Sequence, residues 1–201
     1  MQNVLIAVIF IGTSTIVVIF FRVRKIINFP ALGDNIVMFG DSLTVGIGST
    51  EGNDIASLLS KKIKKPVTAM GVRRETTAQG LMRIDEVINK KPDVVMVLFG
   101  GNDFLQGVSE VETFKNLDTI VQKLQEAGAV VILLGIQGGI ITDPYSGNFK
   151  LIAKNRGALY VPNVLDGIIG VDELMFDEVH PNDIGYKIIA DKIYPILKKA
   201  F

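Results

Sequence analysis

Three stretches of this chain are apolar almost without a break: Ile36–Phe39, Asp93–Phe99 (DVVMVLF) and Ala129–Ile136. A strand that is apolar on both faces has to be covered on both, and the usual cover is the crossover helices of a parallel sheet. The segments between these runs have helical patterning. Ser109-x-x-Glu112 forms a capping box ahead of Val111, Phe114, Leu117, Val121 and Leu124, an apolar stripe at helical spacing. Gly128 sits where a C′ glycine would end that helix. Strands alternating with amphipathic helices predict an α/β fold.

The remaining elements fit the same plan. A helix is expected over residues 54–63, with Asn53 as its cap, then a weaker strand at 66–70 and a helix over 77–89. Residues 137–147, rich in glycine and with one proline, read as a long functional loop, whose Ile140, Ile141 and Tyr145 could touch an acyl chain. A helix over 148–156, a short strand over 158–161, a loop over 177–181 and a last helix over 183–199, kinked at Pro195, complete the pattern. The expected architecture is a three-layer α/β/α, doubly wound, flavodoxin-like parallel sheet of five strands.

Ahead of this domain, residues 4–21 are apolar apart from Gly12, Thr13, Ser14 and Thr15. As a helix they would be about 27 Å long, near the hydrocarbon thickness of a bilayer. A cleaved signal peptide would need a basic n-region and an A-x-A-like site, and neither is seen. The expected organisation is a membrane anchor with its basic flank at 1–25, a linker at 26–34 and one domain at 35–201. Arg22, Arg24 and Lys25 follow the span, which by the positive-inside rule places the domain in the cytoplasm.

Formal net charge is zero, but those three cations leave 18 basic and 21 acidic residues for the rest, a net of −3. This argues against a nucleic-acid partner, which needs a basic footprint. The chain has no cysteine, so disulfides, thiolate catalysis and cysteine-held zinc are excluded. It has one histidine, His180, so a zinc site built on several histidines within one copy is excluded too.

Three loops at the carboxyl ends of expected strands carry reactive residues: Gly40-Asp41-Ser42-Leu43, Gly100-Gly101-Asn102-Asp103 and Asp177-Glu178-Val179-His180. Each alone reads equally as a tight turn or a helix entry. In a doubly wound sheet, however, such ends converge on one edge. A serine hydroxyl needs a base to take its proton, and that base needs a third group to orient it. His180 is the sole imidazole, and Asp177, three residues earlier, could hold its Nδ1 proton and leave Nε2 to face Ser42. The Ser42 N–H and the Asn102 carboxamide are candidate oxyanion donors.

With these blocks in this order, residues 35–200 resemble the SGNH (GDSL) hydrolases. The likeness is greatest to the small thioesterase, lysophospholipase and arylesterase branch, with a similar Gln79-Gly80-Leu81-x-Arg83 helix start. The resemblance implies a metal-free, cofactor-free hydrolase of small acyl esters or thioesters, acting through an acyl-enzyme. It implies Ser42, His180 and Asp177 as triad and Ser42, Arg74 and Asn102 at the oxyanion hole. The second block departs from the family pattern: Ala69 stands at the asparagine position and Arg74 at the glycine whose N–H is an oxyanion donor. Arg74 is thus expected either on an ordinary backbone or in a strained one, within a solvated Arg73-Arg74-Glu75 run or over the site, where it would favour an anionic substrate. Family members often act outside the cytoplasm, which would suit an O-acetylesterase on envelope glycan. A non-catalytic binding module is the alternative that the altered block favours.

Overall fold

The computed structural model describes residues 4–11, 15–22, 25–138 and 143–201, the first two segments by backbone alone. Over the apolar amino-terminal segment the backbone is not the expected single helix. Strands β1 (Val4–Ile11) and β2 (Thr15–Arg22) pair antiparallel as a sheet of their own, Val4 opposite Arg22 and Ile11 opposite Thr15. Isoleucine and valine are frequent in both runs, and β-branched side chains favour the extended backbone. Among the described residues, no helix is long and apolar enough to cross a membrane.

The domain itself follows the expected plan. Strands β3 (Ile36–Gly40), β4 (Val67–Gly71), β5 (Val94–Leu98), β6 (Val130–Leu134) and β7 (Leu159–Val161) form one parallel sheet in the order β4-β3-β5-β6-β7. Every residue of β3, β5 and β6 is buried, whereas edge strand β4 is half-exposed. This is the flavodoxin order, and its switch point lies between β3 and β5, where the connections leave in opposite directions. Helix α1 (Ser42–Val45) follows β3, and α2 (Ile55–Ile63) packs against the last helix, α8 (Asp183–Lys198). Helix α6 (Glu110–Glu126) packs with α3 (Thr77–Met82), α4 (Ile84–Ile88) and α7 (Tyr145–Arg156), and α5 (Gly101–Leu105) opens the chain after β5.

Several local expectations change. Helix α2 is capped by Asp54, whose Oδ1 accepts from Ser57 N at 2.9 Å; Asn53 instead donates to Thr50 Oγ1 and Asp183. The helix expected over 77–89 is two helices that meet at Arg83 (φ −109, ψ 16), and Thr76 with Gln79 forms a reciprocal capping box at the start. Helix α7 starts at Tyr145, three residues early, because Asp143 Oδ1 accepts from both Tyr145 N and Ser146 N. Helix α8 spans Asp183–Lys198 with Pro195 inside it. Gly128 adopts φ +98 just past the α6 cap, as a C′ glycine should.

A buried ion pair ties the β4 edge to α3. Arg83 Nε donates to Glu75 Oε1 at 2.6 Å and Nη2 to Oε2 at 2.5 Å, while Nη2 also reaches Met70 O at 3.0 Å. The guanidinium lies 4.6 Å from the Phe39 ring centroid. Glu75 is only 5% exposed, so removing its partner strands a charge out of water. Arg83→Ala is therefore expected to cost about 3–5 kcal/mol, read from urea denaturation midpoints. A cost below about 1 kcal/mol would show that Glu75 is solvated or repaired after the change.

Candidate active site

Ser42 is the first residue of α1, one position after Asp41 and two after the end of β3. As the first residue of a helix, its N–H has no acceptor within that helix. The turn is tight because it rests directly on the neighbouring strand. A Cβ at Gly71, the last residue of β4, would lie 2.6 Å from Val45 N and 2.9 Å from Asp41 O. At Gly40 a Cβ would lie 2.4 Å from Leu98 O. Glycine at both places lets β3, β4, β5 and the Ser42 turn approach at backbone distance.

His180 arrives from the far end of the chain, on the loop before α8. That loop is fastened at both ends. Asn182 caps α8 by accepting from Ile184 N and Gly185 N, and Phe176 N donates to His180 O at 2.8 Å. Tyr186 Oη donates to Ile47 O at 2.8 Å, and Asp183 accepts from the Thr50 N–H and hydroxyl, both at 2.7 Å. These bonds hold α8 against the segment that follows Ser42. The result is a contact of 3.0 Å between His180 Nε2 and Ser42 Oγ, across 138 residues of sequence.

The other ring nitrogen, Nδ1, faces Asp177, 2.8 Å from Oδ2 and 3.0 Å from Oδ1. Asp177 Oδ1 also accepts from Val179 N (2.9 Å) and His180 N (2.8 Å), so three successive bonds close the turn around the carboxylate. Partial burial works to raise its pKa. The bonds from the His180 ring and from the two backbone N–H groups outweigh that and hold the carboxyl below the usual carboxylate range. With the carboxylate ionised, Nδ1 carries the proton and Nε2 is left as acceptor toward Ser42.

Asn102 lies in the first turn of α5, just past β5, and is 9% exposed. Its Nδ2 donates to Asp41 Oδ2 at 3.2 Å and to Glu75 O at 3.1 Å. Arg74, immediately before Glu75, adopts φ +61, the left-handed region that favours glycine. Of the two backbone states considered for this position, the strained one is found. The loop keeps a glycine-type turn beneath an arginine side chain, and its carbonyl accepts from Gln106 Nε2 at 3.3 Å. The Arg73-Arg74-Glu75 run is not a uniformly solvated one: both arginines are exposed, but Glu75 is buried on Arg83.

Ala69 is part of β4, paired with Met38. Tyr145 does not line a loop. It is 1% exposed, with Phe104, Phe114 and Phe149 around its ring at centroid distances of 5.9, 4.9 and 6.4 Å. An aromatic ring of that size stabilises more inside such a cluster than in a solvated loop. Ile140 and Ile141 lie outside the described residues.

Sequence reasoning missed the acids that hold the site together. Asp103, fully buried, accepts from Thr77 N at 2.9 Å and from Thr77 Oγ1 at 2.5 Å, fastening α5 to α3. Asp41, 3% exposed, accepts from Leu43 N at 3.0 Å as well as from Asn102. Burial raises its carboxyl to about 7, with the nearby charges of Asp103 and Glu75 adding to the rise and the Leu43 and Asn102 bonds opposing it. One local signal existed: an acid directly after a fully buried strand is hard to solvate.

The folded pKa of Asp41 is thus above the ordinary value of 3.8, so the folded state binds the proton more tightly. Stability is then lost as pH rises from about 4 to about 7, and the full penalty is present above that window. The stability of Asp41→Asn relative to the wild type is expected to be greater at pH 8 than at pH 4.5, read from melting temperatures at the two pH values. A pH-independent difference in melting temperature would contradict the raised value.

Residues 38–188 match the family model described as GDSL-like Lipase/Acylhydrolase family. Esterase TesA of Pseudomonas aeruginosa is 28% identical over a match of 180 residues, with 84% of this chain and 90% of that protein covered. Thioesterase 1/protease 1/lysophospholipase L1 of Escherichia coli is 28% identical over a match of 170 residues, with 80% of this chain and 82% of the relative covered. The crystal structure of TesA superposes with a TM-score of 0.78 at 28% identity, covering 83% of this chain and 99% of its own. The strand order, the serine turn and these matches agree: this chain belongs to the GDSL-like lipase/acylhydrolase family.

Proposed function

We propose that this chain, a carboxylic ester hydrolase of the GDSL type, cleaves small acyl esters or thioesters through an acyl-enzyme formed on Ser42. Ser42 Oγ attacks the acyl carbon while His180 Nε2 takes its proton, and the imidazolium returns that proton to the departing alcohol or thiol. Asp177 holds the Nδ1–H tautomer and balances the imidazolium charge. The developing oxyanion is accepted by the N–H groups of Ser42 and Arg74 and by Asn102 Nδ2. Water, activated by the same His180, then releases the acid. The observation that carries this reading is the 3.0 Å contact of Nε2 with Ser42 Oγ while Nδ1 sits on Asp177.

Ser42→Ala and His180→Ala are each expected to lower kcat/KM on p-nitrophenyl acetate by about a thousandfold or more, with unchanged circular dichroism. Substantial turnover by either variant would sink the reading.

We also propose that residues 4–21 attach the chain to a membrane, with the domain on the side of Arg22, Arg24 and Lys25. In hydrocarbon an isolated two-stranded ribbon would leave its outer backbone groups unpaired, so a lipid-embedded form of this segment would be helical. The full chain should stay with the membrane pellet after carbonate washing, and a chain starting at residue 26 should not. Release of the full chain by carbonate would rule out a spanning anchor.

A further inference from the structure

Asp41 stands beside the nucleophile, is almost fully buried, and takes no part in the proton transfers proposed above. Capping α1 does not need an acid, since serine, threonine or asparagine accepts a helix N–H without a desolvated charge. What the acid adds is a second acceptor. Oδ1 takes Leu43 N and Oδ2 takes Asn102 Nδ2, so one rigid carboxylate joins the serine turn after β3 to the side chain after β5. The second Asn102 contact, Glu75 O, belongs to the loop that carries Arg74. The carboxamide is therefore aimed by both loops that flank it. Serine at position 41 would be too short to reach Asn102, and asparagine has one oxygen for two donors.

We propose that Asp41 is a positioning residue for oxyanion stabilisation, its carboxylate holding the Asn102 carboxamide where Nδ2 can donate to the substrate oxyanion. The proposal rests on the esterase reading above. Both Nδ2 hydrogens have acceptors at rest, so the oxyanion shares one of them in a three-centre bond. The quality of that bond depends on the amide staying in place, and a donor helps only at the point where charge develops. Loss of Asp41 then slows the chemical step more than it weakens substrate binding. The ionisable groups around Asp41 are Glu75 before α3, Asp103 of α5 and Tyr186 of α8. Arg83 approaches through Gly40 O but is paired with Glu75, and His180 lies beyond Ser42. A protonated Asp41 is a poorer acceptor for Asn102, so the wild-type rate profile should carry an ionisation of Asp41 that a chain without this carboxyl lacks.

Asp41→Ser in the full chain, assayed on p-nitrophenyl acetate, tests this, since serine keeps the α1 cap. The expected result is a kcat lower by about 10- to 100-fold with KM within about twofold, and a pH–rate profile that has lost the Asp41 ionisation. In an Asn102→Ala background the same change should cost less than about twofold more, because there is no carboxamide left to aim. Equal losses in the two backgrounds, or an unchanged kcat, would overturn the proposal. If Asp41→Ser does not fold, Asp41→Asn is put through the same cycle with the same criteria. A wild-type chain inactive on every ester and thioester, or an active Ser42→Ala, would overturn the esterase reading itself, so the two failures are distinguishable.

Discussion

Everything in the candidate site depends on β3 and β5 lying side by side as fully buried parallel strands. Their shared register places Gly40 beside Leu98, so the two chains leave the sheet together and in opposite directions. Asp41 and Ser42 emerge from one, Gly100 to Asn102 from the other. A crevice at such a switch point needs no further construction: the backbone connections diverge and leave space between them. The apolar runs that make the strands insoluble alone are what fix this geometry, because a strand apolar on both faces can be placed only in the middle of the sheet.

On that base the site is assembled by polar groups with very different exposure. The Asp177 carboxylate is partly open and is kept ionised by bonds from its own turn, which suits a group that orients an imidazole. Asp41 and Asp103 are buried, and each links a loop to a neighbouring element. Burial of the Asp41 carboxyl opposes stability above neutral pH. An acid kept there, next to Ser42, fits a site in which placement matters more than stability. The left-handed backbone at Arg74 follows the same pattern, a local strain kept beside the reacting centre.

The likeness to esterase and thioesterase relatives spans the whole domain and most of each relative, so it concerns one shared architecture and not an isolated motif. At the second loop Arg74 holds a left-handed backbone, and Glu75 beside it is drawn inward by Arg83 instead of remaining in solvent. Arg73 and Arg74 are both exposed on the loop after β4, while the neighbouring Glu75 is paired with Arg83.

By itself the sequence determined the parallel sheet and its five strands, and it pointed to Ser42, Asn102, Asp177 and His180 as residues gathered at one edge of that sheet. Those were legible because each depends on neighbours in the chain: uninterrupted apolar runs make buried strands, residues at strand ends share an edge, and an acid three residues before the sole histidine can close a turn on it. The tertiary structure decided what depends on distant partners. It broke the helix at Arg83 against Glu75 and Met70 O, drew Tyr145 from an expected loop into an aromatic cluster, and placed the amino-terminal backbone in paired strands. It also made Asp41 a bridge between two loops, 61 residues from Asn102 in sequence. Local pattern carries no information about such contacts, because their energies arise from desolvation and packing that exist only once the sheet has formed.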